Sequence, residues 1–167
     1  MYNDYRPKLK LEKTKSEWVW DVIGGGFFIG AIVFLAISWG SIPDQVPGHY
    51  NASGEVDRWG SKFELFILPI VGLLLWVFMN VLEKFPHVHN YPERLNENNV
   101  EAFYLTSRKL LNSVKNVCLL TFSYILFQSI RVALENAESL GLWFLPVMLI
   151  VLAAIMIRGI IKIAKIK

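Results

Sequence analysis

Four apolar blocks limit what this chain can become. Residues 18–40, 63–83, 110–134 and 139–157 are dominated by Leu, Ile, Val, Phe and Gly. About 20 such residues in a helix cross a hydrocarbon core of roughly 30 Å. Inside lipid a single segment must satisfy its own backbone polar groups, which a helix does and an isolated strand does not. The expected fold class is therefore all-α: an integral membrane protein built as a four-transmembrane-helix bundle. The spans use about half of the 167 residues, and the loops left over are too short for a separate soluble catalytic domain.

The charges orient the spans. Residues 1–17 carry Arg6, Lys8, Lys10, Lys13 and Lys15; residues 84–109 carry Lys84, Arg94, Arg108 and Lys109; residues 158–167 carry Arg158, Lys162, Lys165 and Lys167. The loop at 41–62 has only Arg58 and Lys62, and the turn at 135–138 has none. The positive-inside rule then makes the tail 1–17, the loop 84–109 and the stem 158–167 cytoplasmic, with the 41–62 loop extracellular. Anionic headgroups account for the net charge of +3, and no nucleic acid is implied. The first block is longer than a signal core of roughly 7–15 residues and no Ala-x-Ala site follows it, so it reads as a retained anchor. Cys118 is the single cysteine, which excludes an intramolecular disulfide and a Cys-based metal site.

Several residues inside the spans stand out. Gly26 and Gly30 lie four apart on one face, a helix-packing pattern that suits close approach within the bundle or a dimer seam. The Gly24-Gly25-Gly26 run lacks the Lys-Ser/Thr sequel of a phosphate loop. Asp21 and Lys115 sit at similar depth and either pair or snorkel to the interface. Pro69 should kink the second span. The third span holds Ser113, Lys115, Asn116, Thr121, Ser123, Gln128, Ser129 and Arg131. Polar residues in lipid turn inward, so it should be the central helix; a conduction path is the rival reading. Residues 1–17 read as a loose tail or a short surface helix. Residues 93–109 read as a separate amphipathic helix, with Leu95, Val100 and Phe103 inward and Glu97, Glu101, Arg108 and Lys109 toward water. His87 and His89 make a two-imidazole set, too few for a metal.

The loop at 41–62 concentrates the special chemistry. Pro43 and Pro47 exclude a helix, Ala52-Ser53-Gly54-Glu55 reads as a tight turn, and Val46–Asn51 can pair with Val56–Trp59 as a short β-hairpin. This gives a compact extracellular cap between the first two spans. Its candidate ligand-binding residues are Asp44, His49, Tyr50, Asn51, Asp57, Trp59 and Lys62. His49 and Asp57 can meet across the hairpin, while Asp57, Arg58 and Lys62 can hold it together by charged hydrogen bonds. A metal needs at least three converging ligands, and neither Ser53 nor Ser61 sits in a nucleophile elbow. No metal, no cofactor and no catalytic residue are therefore assigned; a membrane hydrolase or a metal-dependent cap is the minor alternative.

The run Pro43–Lys62 resembles the loop of a bacterial membrane domain of unknown function found at the N-terminus of SdpI-type immunity proteins. Asn90-Tyr91-Pro92, Glu97-Asn98-Asn99 and Tyr104 with Arg108 fit the same resemblance. It implies a multi-pass protein of the bacterial cytoplasmic membrane, acting in immunity to, or sensing of, a secreted antimicrobial peptide through its cap. Proteins of that type carry a further C-terminal membrane portion with an Arg- and Trp-containing signature, which is not seen before Lys167. The alternative is a small accessory or transport subunit that docks a membrane partner through the Gly26–Gly30 face.

Overall fold

The computed structural model describes residues 5–167. Helix α1 (Lys15–Ser38) leads into a hairpin of β1 (Gln45–Tyr50) and β2 (Val56–Ser61). A 3₁₀ turn (Lys62–Phe66) then opens α2 (Ile67–Lys84), followed by α3 (Val100–Ala133) and α4 (Phe144–Lys165). All four helices are long and apolar enough to cross a membrane. The apolar surface left uncovered is large, with Phe27, Leu74, Phe78 and Ile150 each more than 60% exposed, as lipid contact requires.

Helix α3 is the hub, and α1, α2 and α4 each pack on it. The stripe of α1 turned to it is Gly24, Phe28, Ala31 and Leu35, spaced three and four apart as one helical face demands. Contact is closest where a glycine omits its side chain. A Cβ on Gly24 would strike Asn116, one on Gly72 would strike Phe28, and one on Gly159 would meet Leu110 at 2.7 Å. Gly26 and Gly30, expected to pack, have nothing within 4 Å. They face outward because Gly24, two positions earlier, already occupies the seam with α3.

Other expectations shift for local reasons. The amphipathic stretch expected at 93–109 is helical only from Val100, and that helix runs unbroken into the third span as far as Ala133. Its first turns stay helical because Val100, Phe103 and Tyr104 pack into a small core with Leu95. Arg108, expected to face water, is buried at 3% exposure. The stem 158–167 is helical to Lys165. Pro69 is the third residue of α2, in its first turn, where proline is best tolerated in a helix. The tail is not loose from Tyr5 onward. Leu11 packs against the Leu95–Tyr104 core, and Arg6 donates to the His89 carbonyl. Residues 1–4 of that tail lie outside the described residues.

Candidate functional site

Two polar assemblies occupy opposite ends of the bundle. At one end the hairpin closes over α3. Ile42, Val46 and Leu65 join Leu35, Leu126, Ile130 and Ala133 in a buried core, and Val46 is fully enclosed. Gly54 adopts φ +81° at the hairpin tip, a region that costs other residues steric strain. Its carbonyl accepts from Leu140 N–H at 2.8 Å, and Glu55 bridges Ser139. The cap is thus tied to the α3–α4 turn as well as to its own spans.

The seven cap candidates separate by what they touch. Lys62 donates to the carbonyls of Trp39 (2.7 Å) and Ile42 (3.0 Å) and lies 4.4 Å above the Trp39 ring; it closes the C-terminal end of α1. Asn51 accepts from the N–H groups of Ser53 (2.9 Å) and Glu55 (3.0 Å), the side-chain bonding that shapes such turns. Asp44 contributes its carbonyl to Lys62 N–H at 2.9 Å. Tyr50 shares a hydrogen bond with Ser129 at 3.0 Å, and burial raises its phenol, with the Ser129 bond opposing. Trp59 is half exposed. His49 and Asp57 do meet, Nδ1 to Oδ1 at 2.6 Å, with side chains 65% and 43% exposed. Register shifts at Pro47/His49 and His49/Tyr50 mark bulges beside this pair, which re-aim side chains in a short ladder. Gly48 leaves room for the Arg58 guanidinium, which donates to the Gly48 carbonyl (2.6 Å) and to Glu64 (2.8 Å).

Beneath the hairpin, between α2 and α4, lies a cleft of about 530 Å³. His49, Tyr50 and Asn51 line it from the cap, and Leu68, Phe144 and Met148 line it from the helices. Asp44, Asp57, Trp59 and Lys62 do not. Among the described residues, no three His, Cys, Asp or Glu side chains converge as a metal set would.

The opposite end buries its charges. Lys115 Nζ, fully enclosed, sits 2.9 Å from Asp21 and 2.6 Å from Glu83 and donates to Asn80 at 3.1 Å. Lys13 Nζ, from the tail, lies 2.5 Å from Asp21. It also lies 3.1 Å from Glu83 Oε2, an ion pair without hydrogen-bond alignment. Two ammonium groups thus bridge two carboxylates. Asn112 donates to both acids (2.8 and 3.2 Å) and Asn116 donates to Asp21 (2.9 Å). Burial works against the Lys13 charge, but Asp21 and Glu83 outweigh it and raise its pKa. A second pair lies beside them: Arg108 holds Glu17 at 2.8 and 3.1 Å and donates to the carbonyls of Leu11 (2.7 Å) and Glu12 (2.6 Å). Three acids meet three bases, which leaves the buried set neutral. The Asp21–Lys115 pairing was readable as two charges at one depth; Glu17, Glu83 and Arg108 were not, since each sits at a span end where water is the default partner.

Comparison with known proteins adds a family and two relatives. Residues 26–73, which hold the hairpin, the second half of α1 and the start of α2, match a family model described as a domain of unknown function (DUF1648). An uncharacterized protein of Archaeoglobus fulgidus is 32% identical over 80 residues, which is 47% of this chain and 42% of that protein. A probable cytochrome oxidase subunit 2 of Haemophilus influenzae is 37% identical over 62 residues, 37% of this chain and 16% of that protein. The chain therefore matches less than half the length of either curated relative. No solved structure matches it.

Proposed function

We propose that this multi-pass membrane protein is a non-catalytic receptor for a cationic, membrane-active peptide, which it takes up at the hairpin cap. The observation that carries this reading is the cleft under the hairpin. It is lined by apolar side chains of three spans, rimmed by His49, Tyr50 and Asn51, and placed at the end of the helices where an amphipathic ligand would enter the bilayer. Charge favours the same ligand. Segments 41–66 and 134–143 hold six carboxylates (Asp44, Glu55, Asp57, Glu64, Glu135, Glu138) against two cations (Arg58, Lys62), a formal excess of four negative charges. Such a field steers cations toward it. The sequence resemblance of Pro43–Lys62 to SdpI-type immunity proteins supports the same reading, and the distribution of Lys and Arg supports a cap facing out of a bacterial cytoplasmic membrane with both termini inside.

The test reconstitutes the full chain in nanodiscs and titrates a fluorescent synthetic Lys/Leu amphipathic helix and its Glu/Leu counterpart. The proposal expects saturable binding of the cationic helix alone, weakened at least about tenfold by Phe144→Ser with His49→Ala, from loss of a buried apolar anchor. Equal partitioning into empty nanodiscs would sink it. Orientation is tested with a membrane-impermeant thiol reagent on Ser53→Cys in a Cys118→Ser background; labelling only in inverted vesicles would reverse the assignment.

A further inference from the structure

The valley between α1 and α3 begins at the basic end with a pocket of about 380 Å³, lined by Trp20 of α1, Lys109 and Ser113 of α3, and Arg158 and Lys162 of α4. Arg158 and Lys162 are four apart and share one helical face. Buried Gly159 lets that face approach α3 at Leu110, which brings the two α4 cations across from Lys109. None of the three side chains has a hydrogen-bond or ion-pair partner among the described residues, whereas Lys13, Arg94, Arg108 and Lys115 are all engaged. Glu17, the one acid at the pocket, is already held by Arg108. Trp18 and Trp20 are exposed at this end, where indole marks the headgroup level.

Toward the hairpin, a groove of about 870 Å³ lies along the same two helices. Trp20, Ile23, Phe27, Gly30 and Phe34 follow spacings of three and four on α1 and form a single stripe. On α3, Lys109 and Ser113 are four apart, and seven residues on, about two turns along the same face, Leu120, Tyr124, Phe127 and Arg131 again follow spacings of three and four. The stripe on α1 spans about 21 Å at 1.5 Å per residue. Its floor is open at Gly26 and Gly30, where nothing lies within 4 Å. Arg131, at the far end, donates to Gln128 and Asn136, so the free cations lie at one end only.

We infer that this valley binds an anionic phospholipid, its phosphate held by Lys109, Arg158 and Lys162 and one acyl chain lying along the groove over Gly26 and Gly30. Unpartnered cations between helices suit an anionic headgroup, and an apolar groove of this length suits the chain attached to it. The reading is independent of the cap. A docked partner helix would fill the groove without needing three cations at one end.

Native mass spectrometry of the delipidated full chain, titrated with phosphatidylglycerol or phosphatidylcholine, tests it. Phosphatidylglycerol should be retained at least about tenfold better, and Lys109→Gln/Arg158→Gln/Lys162→Gln should abolish that preference. The charge-matched control Lys8→Gln/Lys10→Gln/Lys167→Gln should keep it. Gly26→Leu/Gly30→Leu, whose added Cβ atoms meet nothing within 4 Å, should weaken retention of both lipids while the charge preference stays. Equal loss in both triple variants would reduce the effect to diffuse charge and overturn the site. Displacement of phosphatidylglycerol by millimolar inorganic phosphate would make it a free-anion site and overturn the lipid. A glycine variant that changes only the oligomeric state would assign the groove to a helix instead.

Discussion

The two ends of the bundle use charge in opposite ways. At the hairpin end the pairs are close in sequence, eight positions for His49–Asp57 and six for Arg58–Glu64, and they stand in the open. At the basic end Arg108 and Glu17 are 91 positions apart and the charges are enclosed, with Lys115 at 0% exposure and Glu83 at 1%. Exposed pairs contribute little because water screens them and side-chain entropy opposes them. Buried pairs hardly add net stability over an apolar replacement, yet losing one partner is severe because an uncompensated charge stays behind. The cap is therefore held by its apolar core and backbone bonds, and the base by a closed charge balance.

The sharpest way to break this contrast is Lys115→Met. It leaves Asp21 and Glu83 enclosed with Lys13 as their single counter-charge. The expected cost is about 3–5 kcal/mol, read as unfolding in mixed dodecyl maltoside and SDS micelles. Adding Glu83→Gln should recover most of it, since the charge count balances again. A Lys115→Met protein as stable as the wild type would show that water reaches this cluster and that the two ends do not differ in kind. Next in size is Arg108→Lys, which keeps the charge but loses the planar fork that serves Glu17, Leu11 and Glu12 together. A loss of about 1.5–3 kcal/mol is expected, accompanied by faster proteolysis within residues 5–14, the segment Arg108 pins to the bundle.

The same contrast explains what could be read from the chain. The four spans, the central role of α3 and the hairpin were legible because each is written locally, as an apolar run, a density of polar residues, or a Pro- and Gly-marked turn. His49 beside Asp57 was legible for the same reason. The base was not, apart from Asp21 with Lys115. Glu17, Glu83 and Arg108 look like ordinary interfacial charges until the chain folds back and the tail covers them. Gly26 and Gly30 show the converse within the bundle. Their spacing announces a packing face, but Gly24 has taken the seam, and spacing alone does not say which of two adjacent stripes meets α3.

Between the extremes lies His89, at the basic end but outside the spans. Its Nε2 is 3.1 Å from the Leu82 carbonyl and its Nδ1 is 2.8 Å from Ser107 Oγ, so the neutral ring donates to the first and accepts from the second. Burial holds its pKa below the ordinary 6.5; the Leu82 bond opposes this, and His87 adds to it. At pH above 6.5 the ring is neutral in both states and its contribution is complete. As pH falls below 6.5 the unfolded chain binds the proton first, so stability declines until the folded pKa is passed. Unfolding midpoints between pH 7 and 5 should fall in the wild type, and the fall should flatten in His89→Asn. Equal slopes would assign the acid sensitivity to the buried carboxylates rather than to His89.

The smallest effect is expected at the pair the sequence made most conspicuous. His49→Ala and Asp57→Asn each remove an exposed contact whose loss should cost less than about 1 kcal/mol, within reach of the same micelle assay. Hairpin register should persist, because Val46 remains enclosed against Leu126 and Ile130 and the Gly54 carbonyl remains bonded to Leu140. If either variant instead destabilised the protein as much as Arg108→Lys, the pair would be holding the cap, and the comparison would fail at this end. If stability is unchanged while the cationic helix binds more weakly, the 2.6 Å pair does something that folding does not require. His49 lines the cleft and Asp57 orients it from outside. Asp57→Asn should therefore weaken binding less than His49→Ala, and the reverse order would move the contact from the cleft to the outer face of the hairpin.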